Sequence, residues 1–283
     1  MTPLVWDCRG RRLLLGFRPL VMGIVNVTPD SFSDGGRFLD PSVAVEHGLR
    51  LIAEGADLLD IGGESTRPGS EPVPTDEELR RVLPVVRELA KRSAVPISVD
   101  TAKAVVAQAC LDAGAVIVND VTGLLGDPNM VPVCAAAGAG VVVMHMRGTP
   151  ATMQADPHYA DVSAEVGDYL AARLDALEAA GIPRDRVTLD PGIGFGKTLD
   201  HTLQQLARLG EYRRFGRPVV LGVSRKGFLG QVTGRPRPDR VAGTLAVNCF
   251  AVAAGAAHVL RVHDVAPHRD AALLHEAIDR HAR

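Results

Sequence analysis

The chain has 283 residues, 46% of them hydrophobic, 23% charged and 4% aromatic, the profile of a soluble globular α/β protein with material for a sizeable core. A formal net charge of -2 and a sequence pI near 6.5 argue against nucleic acid or an anionic membrane as partners. An anionic ligand must therefore be held by a local cluster of donors, because the field of the whole molecule does not attract one.

Near the start, the Leu13–Leu15 run precedes the first long strand, and residues 1–19 are expected to form a short N-terminal extension or hairpin at the bottom of the fold. This segment lacks a long apolar stretch, and no apolar run approaches the roughly 20 residues of a membrane helix. The expectation is an unprocessed soluble chain in the cytoplasm. The four cysteines, Cys8, Cys110, Cys134 and Cys249, form no C-x-x-C pair, and a reducing compartment suits them. Cys110, Cys134 and Cys249 lie in Ala/Val-rich helical stretches and are expected to be buried structural thiols.

Short β-branched runs then alternate with helical patterns. Strands are predicted at Val21–Val27, Asp57–Ile61, Pro96–Asp100, Val116–Asp120, Gly140–His145, Arg186–Asp190, Pro218–Val223 and His258–Val262. Nearly continuous apolar strands of this kind belong to a parallel sheet covered by helices. Asp40-Pro41 and Asp127-Pro128 each set an N-cap before a first-turn proline. Thr75-x-x-Glu78 reads as a capping box, with Leu79, Val82, Leu83, Val86 and Leu89 along one face after it. Val162, Val166, Leu170, Leu174 and Leu177 mark another helix, stopped by Gly181. Eight strand–helix units in succession predict a single-domain (β/α)₈ TIM barrel over 1–283, and no Gly-x-Gly-x-x-Gly follows the first strand to favour a doubly wound sheet.

Nearly every predicted strand ends in a polar residue: Asn26, Asp60, Asp100, Asn119 with Asp120, His145, Asp190, Ser224 with Lys226, and Arg261 with His263. Any one of these can simply open a turn, but in a barrel such ends converge on one mouth. Three following segments, Thr28–Leu39, Gly62–Pro74 and Met146–Tyr159, exceed what a connection needs and read as lids or binding loops. Asp100, Asn119 and Asp190 offer acceptors and an amide for a flat heterocycle. Arg261, His263 and Ser224-Arg225-Lys226 come from the last two units, where barrels commonly hold phosphate. Asn26 is a neutral oxygen ligand that Mg²⁺ accepts when phosphate and water complete its shell. Gly192–Thr198 ends like a P-loop but has Pro191 in place of the first glycine, so a turn that lets backbone approach a ligand is the better reading. His145 reads as a satisfied strand-end histidine outside the site. Acyl transfer through a Ser-His-Asp or Cys-His set finds no support.

Asn26-Val-Thr-Pro-Asp-Ser-Phe-Ser-Asp-Gly-Gly36 and Gly62-Gly-Glu-Ser-Thr-Arg-Pro-Gly69 resemble the two signature segments of the dihydropteroate synthases. Ser98–Thr101, Asn119–Val121, Asp190–Lys197, Ser224–Lys226 and Arg261–His263 resemble the remaining blocks in the same order, so the likeness runs from about Leu20 to His263. It implies an enzyme of folate biosynthesis, a transferase that condenses a dihydropterin diphosphate with 4-aminobenzoate, uses Mg²⁺ and is a target of sulfonamides. It also implies roles at matching positions. Asp100, Asn119, Asp190 and Lys226 hold the pterin, and Arg261 stacks beside it. Arg261, His263 and Asn26 grip the diphosphate and its metal. Thr66 and Arg67 close over the diphosphate and the aminobenzoate pocket, Phe195 gives that pocket an apolar wall, and Phe32 and Asp34 come from the first loop. Ser224, Lys226 and the helix start after them suit the aminobenzoate carboxylate. Of these, Arg261, His263, Lys226 and Asp100 are expected to carry the chemistry.

One departure stands out. Many family members carry a hydroxyl-bearing or larger residue directly after this lysine, where the chain has Gly227, so altered aminobenzoate affinity is expected. A pterin-binding methyltransferase domain carrying methyltetrahydrofolate is the nearest alternative, but it does not need the diphosphate grip or the Thr-Arg-Pro-Gly loop. A non-catalytic folate-binding paralogue is expected to have lost some of the charged loop residues. A Schiff-base aldolase built on Lys226 fits poorly with its cationic neighbours. Family resemblance implies a homodimer, for which the apolar Val241–Ala257 segment is available, although burial within one chain explains that segment equally well.

Overall fold

The computed structural model of the chain describes residues 4–28, 40–67 and 69–281. A hairpin, β1 (Leu4–Cys8) and β2 (Arg11–Leu15), comes first. Eight strands follow: β3 (Leu20–Asn26), β4 (Leu58–Gly62), β5 (Ile97–Asp100), β6 (Ile117–Asp120), β7 (Gly140–Met144), β8 (Val187–Asp190), β9 (Val220–Leu221) and β10 (Val259–Val262). Among the described residues the helices are α1 (Pro41–Ala53), α2 (Thr75–Arg92), α3 (Ala104–Asp112), α4 (Met130–Ala137), α5 (Val162–Ala179), α6 (Leu199–Ala207), α7 (Gly227–Thr233), α8 (Val241–Ala253) and α9 (Val265–His281).

The strands pair in parallel in the order β8-β7-β6-β5-β4-β3-β10-β9. An isolated parallel bridge between Leu189 and Val219 joins the two ends, and the Leu189 amide donates to Pro218 O at 2.9 Å. The sheet is thus closed into an eight-stranded parallel barrel with its helices outside. All eight predicted strands are present, each within one or two residues except the last-but-one, which shortens to Val220–Leu221.

Alternation along each strand sorts its side chains. Outward-facing residues such as Val21, Val25, Leu59, Val99, Val118, Val141, Leu189 and Leu260 join the helices in one large core cluster. Inward-facing Met22, Leu58, Ile117, Val142, Val220 and Val259 form a second cluster with Trp6, Cys8 and Leu15 of the hairpin. Those three hairpin side chains are completely buried, and Trp6 Nε1 donates to Arg186 O at 2.9 Å. The hairpin therefore plugs the N-terminal end of the barrel. Gly140 permits this contact, since a Cβ there would lie 2.6 Å from Cys8 Sγ. Deleting the Trp6 indole should cost about 3–5 kcal/mol as a cavity in a packed region. With the bottom sealed, the opposite end is left open for ligand.

Helix starts follow the sequence rules unevenly. Asp40 caps α1, accepting from Ser42 N at 2.8 Å ahead of Pro41, and the five predicted apolar positions of α5 are all buried. The Thr75–Glu78 capping box does not form: Pro74 holds the cap position, and the buried Glu78 turns instead to Lys103. Asp127 does not start α4, which begins at Met130 after Asn129. Its carboxylate accepts from Ala104 N at 2.9 Å and so satisfies the first turn of the neighbouring α3. Cys8, Cys110 and Cys134 are buried, but Cys249 is exposed, because an apolar helix on the outer layer still has a side turned away from the barrel.

Candidate active site

A cavity of about 740 Å³ lies at the C-terminal end of the strands. Asn26, Thr66, Arg67, Asp100, Asn119, Asp190, Phe195, Ser224, Lys226, Arg261 and His263 all line it. Every proposed site residue within the described segments is therefore at one mouth; Phe32 and Asp34 lie outside the described residues. Asp120 and His145 do not line it, since each follows an inward residue (Asn119, Met144) and alternation turns it away. His145 is buried at 3.1 Å from Lys197 Nζ, and burial beside that lysine holds its imidazole neutral, down to about 3.

The centre of the site is a charged network across the barrel. Arg261 on β10 donates from Nε to Asp60 Oδ2 at 2.6 Å and from Nη2 to Asp100 Oδ2 at 2.7 Å. Asn119 Nδ2 donates to the same Asp60 oxygen at 3.0 Å, which fixes the amide so that its oxygen is available as an acceptor. Asp60 is fully buried, and among the described residues its Oδ1 has no partner. Burial pushes the Asp100 carboxyl upward, with Arg261 pulling against it and Asp60 adding to the push.

Opposite this network, Asp190 ends β8 with Oδ1 accepting from Gly192 N at 2.7 Å. Burial raises it, while Lys226 and the Gly192 amide oppose the shift. Lys226 donates to Ile193 O and lies 4.2 Å from the centre of the Phe195 ring. Burial, with Arg261 nearby, lowers this lysine to about 8, against the pull of Asp190. At neutral pH it is charged with a fraction already neutral.

The third sector gathers Ser224, Arg225 and His263. His263 Nδ1 is 2.9 Å from Ser224 Oγ, and its backbone amide donates to the same oxygen at 3.2 Å. Burial beside Arg261 and Arg225 lowers His263 to about 3, so it acts as a neutral hydrogen-bond partner. Arg225 takes a left-handed backbone, φ 57°, held by Thr244 Oγ1 at 3.0 Å from its amide and by Asp264 at 3.0 Å from Nε. Lys226 then precedes α7, where Gly227 lines the cavity and a Cβ would meet nothing within 4 Å.

The second loop rises from β4. Arg81 donates to Gly63 O at 2.8 Å, and Lys103 ties Glu64 to Glu78, so the base of the loop is anchored to α2 before Thr66 and Arg67 reach the rim. Gly69 N donates to Pro150 O at 3.1 Å, bringing this loop against the one after β7.

Sequence reasoning left out Asp60, Lys197, Gln154, Arg237 and Arg240, the last four of which also line the cavity. Asp60 was visible as a polar strand end, and its place two residues before Gly62 puts it on the same inward face one layer down. Nothing local marked Gln154 or the two arginines.

A parallel barrel whose mouth joins fixed carboxylates and an amide to a sector of cationic and neutral donors belongs to the class of barrels with a polar small-molecule site at the C-terminal face. The family model described as pterin binding enzyme matches residues 22–263. The dihydropteroate synthase of Escherichia coli K12 is 47% identical over 247 residues, 87% of each chain. A structure of Xanthomonas albilineans dihydropteroate synthase with 4-aminobenzoic acid superposes with a TM-score of 0.91 at 49% identity, covering 98% of this chain and 99% of that one. Burkholderia cenocepacia dihydropteroate synthase complexed with 7,8-dihydropteroate gives a TM-score of 0.89 at 44% identity, covering 99% and 98%. The chain belongs to the pterin-binding enzymes, and within them to the dihydropteroate synthase family.

Proposed function

We propose that the barrel condenses 7,8-dihydropterin-6-ylmethyl diphosphate with 4-aminobenzoate to give 7,8-dihydropteroate and diphosphate. The observation that carries this reading is the convergence of Asp100, Asn119 and Asp190 with Lys226, Arg261 and His263 around one cavity. Relatives that hold 4-aminobenzoic acid or 7,8-dihydropteroate on the same fold support it.

The pterin edge carries N–H donors and ring acceptors that match a carboxylate at Asp190, the acceptor at Asp100 and the oriented amide of Asn119. Arg261 keeps donors beyond the two engaged by Asp60 and Asp100 and faces the ring and its diphosphate. His263, neutral and positioned by Ser224, donates to the leaving group without adding charge. Phe195 and Lys226 bound the aminobenzoate side, and Thr66 with Arg67 covers it.

Asn26 lines the cavity, whereas the neighbouring carboxylates of Asp60 and Asp100 are engaged by Arg261. Among the described residues no group of three His, Cys, Asp or Glu is arranged to hold a metal. That donor set fits Mg²⁺ carried in by a diphosphate, with Asn26 as its protein oxygen. When bound, Mg²⁺ offsets negative charge on diphosphate.

We read the reaction as dissociative. The C–O bond to diphosphate breaks with its electron pair leaving on oxygen, the pterin ring stabilises the methylene cation, and the arylamine nitrogen forms the new C–N bond and releases a proton. Arg261 and His263 are preorganised for charge on the departing oxygen. Among the described residues none is assigned as a general base for the weakly basic amine; the cation makes one unnecessary, and the released proton passes to water.

The exposed Phe250 of α8 and Leu274 and Ile278 of α9 support a homodimer. Three buried free thiols suit a cytoplasmic location, and no helix among the described residues is long and apolar enough to cross a membrane. The test is to incubate the protein with both substrates and Mg²⁺ and look for pteroate by mass spectrometry. Product that disappears with chelator or without aminobenzoate supports the reading; no product in the complete mixture overturns it.

A further inference from the structure

Between β8 and α6 the backbone turns through Gly192, Gly194 and Gly196, all with positive φ. The turn is pressed against the loop after β7: a Cβ at Gly192 would lie 1.8 Å from His145 O, and one at Gly196 2.5 Å from Arg147 O. A glycine-rich turn has little stiffness of its own, yet this one is held from outside. From Pro191 to Gly196, six consecutive carbonyls each accept from a side chain. Gln205 reaches Pro191 O, Lys197 reaches Gly192 O and Phe195 O, Lys226 reaches Ile193 O, Gln154 reaches Gly194 O and Tyr159 reaches Gly196 O.

Lys197 is the member that closes the loop on itself. Its Nζ is 2.9 Å from Gly192 O, 3.1 Å from Phe195 O and 3.1 Å from His145 Nδ1, so all three ammonium donors have an acceptor. The residue is 3% exposed, which leaves little room for water to take over these bonds. Burial and the nearby Lys226 lower it to about 7, a cost that the fold accepts at this position. It spans the turn from its first residue to Phe195, whose ring faces Lys226.

We propose that Lys197 is a positioning residue for the arylamine half of the site: by clamping Gly192 O to Phe195 O it fixes the Phe195 wall against Lys226. This rests on the reading that Phe195 bounds the aminobenzoate pocket. The pterin-reading Asp100 and Asn119 stand on β5 and β6, on the barrel itself, and the third reader, Asp190, ends β8 and meets the turn only at its start, through the 2.7 Å bond from Gly192 N. A purely structural lysine would lower stability without separating the two substrates.

The experiment measures KM for each substrate in wild type, Lys197→Met and Tyr159→Phe, with thermal melts alongside. Lys197→Met keeps the side-chain length and removes every donor. The expected result is a rise of about tenfold or more in KM for aminobenzoate, with KM for dihydropterin diphosphate changed less than about threefold. Tyr159→Phe removes the 2.9 Å bond to Gly196 O and should show the same split, smaller; it decides the matter if Lys197→Met does not fold. Both KM values unchanged, or moving together, overturn the proposal. A wild type that makes no pteroate defeats the reading of the reaction itself and takes this inference with it, whereas a competent wild type with unsplit variants defeats the inference alone.

Discussion

Arg261 on β10 reaches past β3 to place its Nε 2.6 Å from Asp60 Oδ2 on β4. Asp60 is completely buried and Arg261 largely so. A buried pair of this kind is costly to break from one side, because the remaining charge loses its compensation. Asp60→Ala should therefore destabilise the protein by about 3–5 kcal/mol, read by denaturant unfolding. It should also free Asn119 and Arg261 from their shared acceptor and reduce kcat/KM for the pterin substrate. Unchanged stability would mean that the pair is not held as described.

Arg261→Ala removes a donor aimed at the leaving group as well as the anchor of Asp100. A preorganised charge-stabilising group is commonly worth about 10²–10³ in rate, and kcat should fall by that order. Steady-state kinetics at saturating substrates checks this.

Asp190→Asn exchanges one acceptor oxygen for an amide NH2 against the pterin edge, leaving a donor facing donors in a buried place. Affinity for dihydropterin diphosphate should drop at least about tenfold, measurable by calorimetry. Equal affinity would remove Asp190 from the pterin site.

Lys226 gives a pH signature. Burial lowers it to about 8, and a lysine is charged below its pKa and neutral above it. Its cation is then lost as pH rises through about 8, and kcat/KM should decline on that alkaline side. His263, lowered to about 3, stays neutral throughout and should contribute no step between pH 5 and 9. Lys226→Arg keeps the charge at all these pH values, so the alkaline decline near 8 should vanish even though the plateau falls. Persistence of that decline would assign it to another group.

Gly227 lines the cavity at the start of α7 with open space where its Cβ would be. Gly227→Ser should fit without strain and offer a hydroxyl to the aminobenzoate carboxylate. The expected outcome is a fall of a few-fold in KM for aminobenzoate with little change in that for the pterin, since one hydrogen bond to a charged group is worth about 1.5–3 kcal/mol before side-chain ordering is subtracted. A raised KM would show that glycine is there for room.

The barrel was legible because its strands are short apolar runs, and the polar residue that ends nearly every run marked the mouth. Asn119 and Asp190 were found in this way, but which of Asn119 and Asp120 faces inward was settled only by the alternation of β6 in the folded barrel. Asp60 was passed over because it lies one layer below the rim, where its value depends on Arg261, some two hundred residues away in sequence. The Thr75–Glu78 pattern misled because a capping box is a local rule, and Glu78 is claimed by the tertiary partner Lys103. Asp127 likewise serves the amide of α3, not its own helix. Cys249 was misjudged because an Ala/Val-rich helix shows too weak a periodicity to tell its inner face from its outer one. The Lys197 clamp was out of reach, since its three acceptors are defined only once the glycine turn has folded back on itself.

The most direct test follows diphosphate release and pteroate formation together in one sample of protein, dihydropterin diphosphate, 4-aminobenzoate and Mg²⁺, with Arg261→Ala alongside. The account predicts that the two products appear in equal amounts in wild type and that both fall by about 10²–10³ in the variant. Diphosphate released without matching pteroate, or Arg261→Ala turning over like wild type, would contradict it.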